Sequence, residues 1–147
     1  MSIEHPMLLI EDSPEDREAT IRALKRAGVA NPIHCCVNGD DALDYLFHRG
    51  KYSDASLAPR PNIILLDLNM PGTDGREVLA EVKQTEHLQS IPVIILTTST
   101  DSRDVNSCYQ MGANSYVKKP VDLEGFMRSV QRLKDYWFEV VILPKTE

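Results

Sequence analysis

Along the chain, short apolar runs alternate with longer segments in which apolar positions recur every three or four residues. Met7 to Ile10, Ile63 to Leu66 and Val93 to Leu96 are apolar at successive positions. That is the pattern of a strand covered on both faces. Two less uniform runs, Ile33 to Val37 and Ser115 to Val117, complete a set of five. The segments between them read as helices. Ser13 caps the first, with Pro14 at its first position and Glu15 and Asp16 in its first turn, and Gly28 stops it. The second carries Ala42, Leu43, Leu46 and Phe47. The third spans roughly Arg76 to Gln84, and the fourth runs from Asp101 through Val105 and Met111 to Gly112. The fifth starts near Asp122. Arg49 to Pro61, with Gly50, Ser53 and Ser56 and two prolines, reads as a long surface loop without chemistry of its own.

Strand then helix, five times over, predicts an α/β domain with a parallel sheet and helices on both of its faces. At 147 residues the chain fits one domain, 1–147, with no internal repeat. Apolar residues make up 42% and charged residues 26%, ordinary for a globular protein. A formal charge of −6 argues against electrostatic binding to nucleic acid. No apolar run approaches a membrane span, and no basic-then-apolar leader opens the sequence, so a cytoplasmic protein is expected. The three cysteines, Cys35, Cys36 and Cys108, read as core-filling thiols, with the adjacent pair pointing to opposite faces of a strand. The histidines, His5, His34, His48 and His87, are scattered without metal-ligand spacing and read as surface or packing residues.

Polar residues gather where a parallel sheet binds its ligands, beyond the carboxyl ends of the strands. The first strand ends in Glu11 and Asp12, and the third in Asp67, followed by Asn69. The fourth ends in Thr97 and Thr98, and the fifth in Lys118 and Lys119 before Pro120. If the first and third strands are neighbours, three carboxylates converge and require a cation. The donors are hard oxygens, which suit Mg²⁺ or Mn²⁺ and not Zn²⁺. A lysine point charge and a threonine hydroxyl beside them would complete a clamp for a phosphoryl group, with an aspartate as nucleophile toward phosphorus.

In combination, "LLIEDSPED", "ILLDLNMPGTDGREVL", "PVIILTTS" and "YVKKP" resemble the receiver domain of bacterial two-component response regulators over about Met7 to Leu133. The resemblance implies a flavodoxin-like (βα)5 doubly wound sheet in the order 2-1-3-4-5, a fold the receiver proteins themselves illustrate. It implies that Asp67 is the phosphoacceptor for a histidine kinase. Asp12 and Asp67 would hold the metal directly, Glu11 would do so through water, and Asn69 through its backbone carbonyl. Thr97 and Tyr116 fall at the switch positions, and Lys119 at the phosphate-binding lysine. Thr98 stands where many relatives carry alanine, which bears on access to the phosphoryl group. A narrower resemblance, to the single-domain regulators of bacterial and cyanobacterial phytochromes, rests on "RGKY" before "RPNIILLDLNMP", on "DGREVLAEVK" and "LTTS", and on an aromatic tail ending "VVILP". It implies a light-sensing histidine kinase, a bacteriophytochrome, as phosphodonor.

On this reading the domain core occupies about 6–133, and 134–147 is a C-terminal extension. Its residues Tyr136, Trp137, Phe138 and Val141 would form an apolar patch needing cover. Two outcomes are open: a homodimer contact shared with the fourth helix and fifth strand, or a tail folded back on its own domain. The chain is expected to be a phosphoacceptor and not an enzyme acting on other substrates. The alternatives are a receiver-like interaction module that takes no phosphate, and an aspartyl-phosphate phosphatase. Against the latter, Asn69 stands where such enzymes place a general acid, and no cap domain is present.

Overall fold

A computed structural model describes residues 5–144. Residues 1–4 and 145–147, within the predicted domain and tail, lie outside the described residues. Five parallel strands, β1 (Met7–Ile10), β2 (Ile33–Cys36), β3 (Ile63–Leu66), β4 (Val93–Thr97) and β5 (Ser115–Lys118), form one sheet in the order β2-β1-β3-β4-β5. They alternate with α1 (Pro14–Arg26), α2 (Gly39–Phe47), α3 (Gly75–Gln84), α4 (Ser102–Met111) and α5 (Leu123–Lys134). This is the expected flavodoxin-like fold and strand order.

Strand alternation divides the interior into two cores. Leu8, Ile10, Ile64, Leu66, Val93 and Ile95 face Ala42 and Leu46 of α2, Val78 and Leu79 of α3 and Cys108 of α4. Met7, Leu9, Ile63, Leu65, Ile94 and Leu96 face Ala23 and Leu24 of α1 and Phe126 and Val130 of α5. Successive side chains on a strand point to opposite faces, so an unbroken apolar run serves both layers. Cys35 and Cys36 divide the same way, one against each core.

The helix starts are fixed by side-chain caps. Ser13, Asn38, Asp74, Asp101 and Asp122 each accept a backbone N–H from the first turn that follows. The segment between α2 and β3 is more ordered than a plain loop. It contains two 3₁₀ turns, Gly50–Tyr52 and Ala55–Leu57, and ends in a fully buried Ala58. Tyr52 donates to Asp41 Oδ1 (2.9 Å), and His48 Nε2 meets the Ala58 carbonyl (2.8 Å). These two contacts tie the segment to α2.

The C-terminal extension takes the second of the two outcomes left open and folds back on its own domain. After α5 the chain continues through Asp135–Val140 with widened i→i−5 hydrogen bonding, including Val141 N–H to the Tyr136 carbonyl at 2.9 Å. The widened turn brings Trp137 inward, where it is 7% exposed within the α1/α5 core. Phe138, Val141 and Leu143 pack against the same core. The domain therefore still has apolar surface to offer beyond Tyr136, and Trp137 belongs to its own protomer's interior. Of the four interface candidates only Tyr136 is exposed, at 54%. At its end the tail crosses to the amino-terminal pole of the sheet, where Asn62 Nδ2 donates to the Pro144 carbonyl at 3.3 Å.

Candidate functional site

The ladder aligns the strand ends. Ile10 pairs with Leu66, so Glu11 and Asp67 leave the sheet at the same level. The Asp67 N–H donates to the Ile10 carbonyl (3.1 Å), and the Glu11 N–H to the Cys36 carbonyl (3.1 Å). Across the sheet, Thr97 pairs with Lys118, and the Lys119 N–H donates to the Thr97 carbonyl at 2.7 Å. Backbone hydrogen bonds thus carry the β1, β3, β4 and β5 ends to one place. Gly75 closes the floor: a Cβ there would lie 2.2 Å from the Asp67 carbonyl oxygen, so only glycine lets α3 start against this loop.

Glu11, Asp12 and Asp67 each bring a carboxylate oxygen within 4.8 Å of the other two. They are the one such acidic cluster among the described residues. Octahedral metal–oxygen bonds of about 2.1 Å place ligand oxygens roughly 3–4 Å apart, a spacing this set reaches with small side-chain adjustment. The donor set is all oxygen, which fits Mg²⁺ or Mn²⁺. Asn69 is exposed just beyond Asp67.

Lys119 is buried and forms an ion pair with Glu11 Oε1. Its ammonium also lies 3.4 Å from Asp16 Oδ2 and 3.9 Å from Asp67 Oδ2. Burial pushes the Glu11 carboxyl up to about 7, restrained by the Lys119 hydrogen bond and reinforced by the charge of Asp67. For Lys119, burial works against the charged form, but the Glu11 hydrogen bond and the charges of Asp67, Glu11 and Asp16 outweigh it and hold the amine above its ordinary value. One cation therefore faces an excess of carboxylates, an arrangement that favours a further positive ion.

Thr97 is fully buried, and its hydroxyl has no hydrogen-bond partner among the described residues. Such a group is rare in a folded interior. Thr98 is exposed and, with Asp16, Lys119, Pro120 and Phe126, lines a cavity of about 300 Å³ beside the lysine. Tyr116 is half-buried, and its hydroxyl donates to the Ser99 carbonyl at 3.0 Å.

The predicted strand-end residues Glu11, Asp12, Asp67 and Lys119 are thus brought together. The sequence reading treats Asp16 only as a helix-start acid. Its place in the first turn of α1, just after the β1 end, was the available signal that it could reach the same lysine. Tyr109, whose hydroxyl accepts the Tyr116 N–H at 3.0 Å, carried no signal in the sequence.

Comparison with known proteins agrees with this geometry. The response regulator receiver domain matches residues 7–131. The chain is similar to the response regulator Rcp1 of Synechocystis sp., with 41% identity over 138 residues, covering 94% of this chain and 92% of the relative. Among solved structures it is similar to the phosphorylated cyanobacterial phytochrome response regulator RcpA, with a TM-score of 0.90 and 34% identity, over 97% of this chain and 100% of that one. It is likewise similar to the Mn²⁺-bound form of Rcp1, with a TM-score of 0.89 and 40% identity, over 96% and 99% of the two chains. Fold, strand-end chemistry and full-length similarity together make this chain a member of the response regulator receiver domain family.

Proposed function

We propose that this receiver domain accepts a phosphoryl group on Asp67 from a sensor histidine kinase. The observation that carries this reading is the gathering of Glu11, Asp12 and Asp67 around a buried Lys119. An Asp67 carboxylate oxygen attacks phosphorus, the P–N bond of the phosphohistidine breaks, and the departing imidazole keeps the electron pair and takes up a proton. Asp12 and Asp67, with Glu11 through water and the Asn69 carbonyl, would hold Mg²⁺ or Mn²⁺, which would supply charge neutralisation for the phosphoryl oxygens. Lys119 contributes a fixed positive charge. The unpartnered Thr97 hydroxyl gains a phosphoryl oxygen as acceptor, and Tyr116 follows, changing the face formed by α4, β5 and α5. The chain then acts as a signalling switch and not as an enzyme on other substrates.

The similarity to a phosphorylated phytochrome response regulator supports a phytochrome kinase as donor, and the similarity to a Mn²⁺-bound response regulator supports the metal. No helix among the described residues is long and apolar enough to cross a membrane, in keeping with a cytoplasmic partner of such a kinase. Exposed Tyr109, Tyr136, Val140 and Ile142 on α4 and the tail favour a homodimer through this side, where a two-fold axis would bring equivalent aromatics together.

The test is intact-mass measurement after incubation with Mg²⁺ and acetyl phosphate. One phosphoryl mass is expected for the wild type and none for Asp67→Asn or in excess EDTA. A wild type that gains no mass from this donor or from a phytochrome kinase would overturn the reading.

A further inference from the structure

Lys119 is shared among three acids, and one of them stands outside the carboxylate cluster. Its ammonium pairs with Glu11 and lies 3.9 Å from Asp67 Oδ2, but it also lies 3.4 Å from Asp16 Oδ2. Asp16 sits in the first turn of α1, after the Ser13 cap and Pro14, where an acid suits the positive end of a helix. That accounts for the acid, but not for its reach to a lysine 103 residues away. The Asp16 side chain is 55% exposed, against 8% for the lysine.

The same two side chains meet on the wall of the cavity of about 300 Å³ beside the site. The other acid on that wall, Asp122, is engaged as the cap of α5, where its Oδ2 accepts the Gly125 N–H at 2.7 Å. Ala19, Pro120 and Phe126 add apolar surface. Among the described residues, Lys119 is the one partner of the Asp16 carboxylate. A phosphoryl oxygen held by Lys119 at about 2.8 Å would lie no more than about 6 Å from that carboxylate. Like charges at such a distance repel, and modestly so where one of them is solvated.

We propose that Asp16 is a specificity-determining residue of the phosphoacceptor site. It competes with the incoming phosphoryl group for Lys119 and holds negative charge beside the cavity. Donors are thereby ranked by charge. An acyl phosphate, which arrives as a dianion, is disfavoured relative to a donor whose leaving nitrogen carries a proton. The phosphohistidine of a kinase belongs to the second class. The inference rests on the phosphoacceptor reading above and adds the chemical class of donor that the site prefers. A charge at the rim of a site acts on the rate of association and on its salt dependence.

The test compares two small donors on the full chain, by intact mass against time. Acetyl phosphate releases acetate and phosphoramidate releases ammonia, as the same bond forms between Asp67 and phosphorus. Wild type, Asp16→Asn and Glu15→Gln are assayed at saturating Mg²⁺, set for each protein by calorimetric titration with magnesium chloride. Asp16→Asn keeps the backbone contacts of the helix start, and Glu15→Gln removes an equal charge from the same turn at a side chain that does not touch Lys119. With acetyl phosphate, the second-order rate constant of Asp16→Asn should be about twofold to fivefold above wild type. The gain with phosphoramidate should be smaller, and Glu15→Gln should stay near wild type with either donor. In about 1 M potassium chloride, where the screening length is about 3 Å, the gain with acetyl phosphate should vanish. An unchanged or lower rate in Asp16→Asn overturns the proposal, as does an equal gain with both donors or a gain matched by Glu15→Gln. These outcomes leave the phosphoacceptor reading standing. A wild type that gains no mass from either donor or from a kinase overturns that reading, and this proposal with it.

Discussion

The Lys119 ammonium is buried against the Glu11 carboxylate, joining the end of β5 to the end of β1 across the intervening β3 and β4. Both side chains are under 10% exposed. Removing one partner of such a pair leaves the other uncompensated, at a cost of roughly 3–5 kcal/mol. Lys119→Ala is therefore expected to unfold at clearly lower urea in EDTA than wild type. Mg²⁺ should restore part of the loss, since a second cation can take over the carboxylates. Equal losses with and without Mg²⁺ would argue that the carboxylates do not share an ion.

Trp137 is expected to report on the protomer itself. Truncating a buried aromatic costs about 3–5 kcal/mol. Trp137→Ala should thus lower the melting temperature at any protein concentration. Tyr136→Ser removes an exposed ring, and a surface change of that kind stays within about 0.5 kcal/mol. Sedimentation should show it weakening self-association instead. If Trp137→Ala left stability intact, the inward placement of the tail would be wrong.

Acid sensitivity should include a contribution from Asp104. The Arg76 hydrogen bond, then that of Ser99, hold its carboxyl below the ordinary value of 3.8. A depressed carboxylate stabilises the fold above its unfolded pKa, and that contribution fades as pH falls through the folded one. Denaturant melts from pH 5 down to pH 3 should therefore show wild type losing stability more steeply than Asp104→Asn. Parallel slopes would remove the ion pair from the account.

Gly75 offers a steric test. Its φ is ordinary, so the constraint is space: the added methyl of Gly75→Ala meets the Asp67 carbonyl. Overpacking of this kind costs about 1–3 kcal/mol. Phosphorylation by acetyl phosphate should fall more than stability does, because the displaced atoms belong to the acceptor loop. Unchanged phosphorylation would mean α3 can back away without disturbing Asp67.

How much of this was legible beforehand varied with the range of the interaction. The strands could be read because Ile63 to Leu66 and Val93 to Leu96 serve two cores at once, which leaves no polar position in the run. Glu11, Asp12, Asp67 and Lys119 could be read because strand ends share a level in a parallel sheet. Burial of Trp137 could not: it depends on how much of the α1/α5 face the fifth helix leaves uncovered, a three-dimensional quantity. A lysine before proline looks solvated until the ladder brings it beneath Glu11. Arg76 and Asp104 lie 28 residues apart on different helices, and no local pattern announces their pairing.

The chain has a single tryptophan, and it sits in the tail's widened turn with Tyr136 edge-on at 5.4 Å. It lies in the α1/α5 core and is absent from the carboxylate cluster that would take the metal and the phosphoryl group. Its emission is thus a built-in optical gauge of how the tail is seated. A spectral change on phosphorylation would register motion relayed through the domain, while a silent spectrum would mean that the signal leaves by another face.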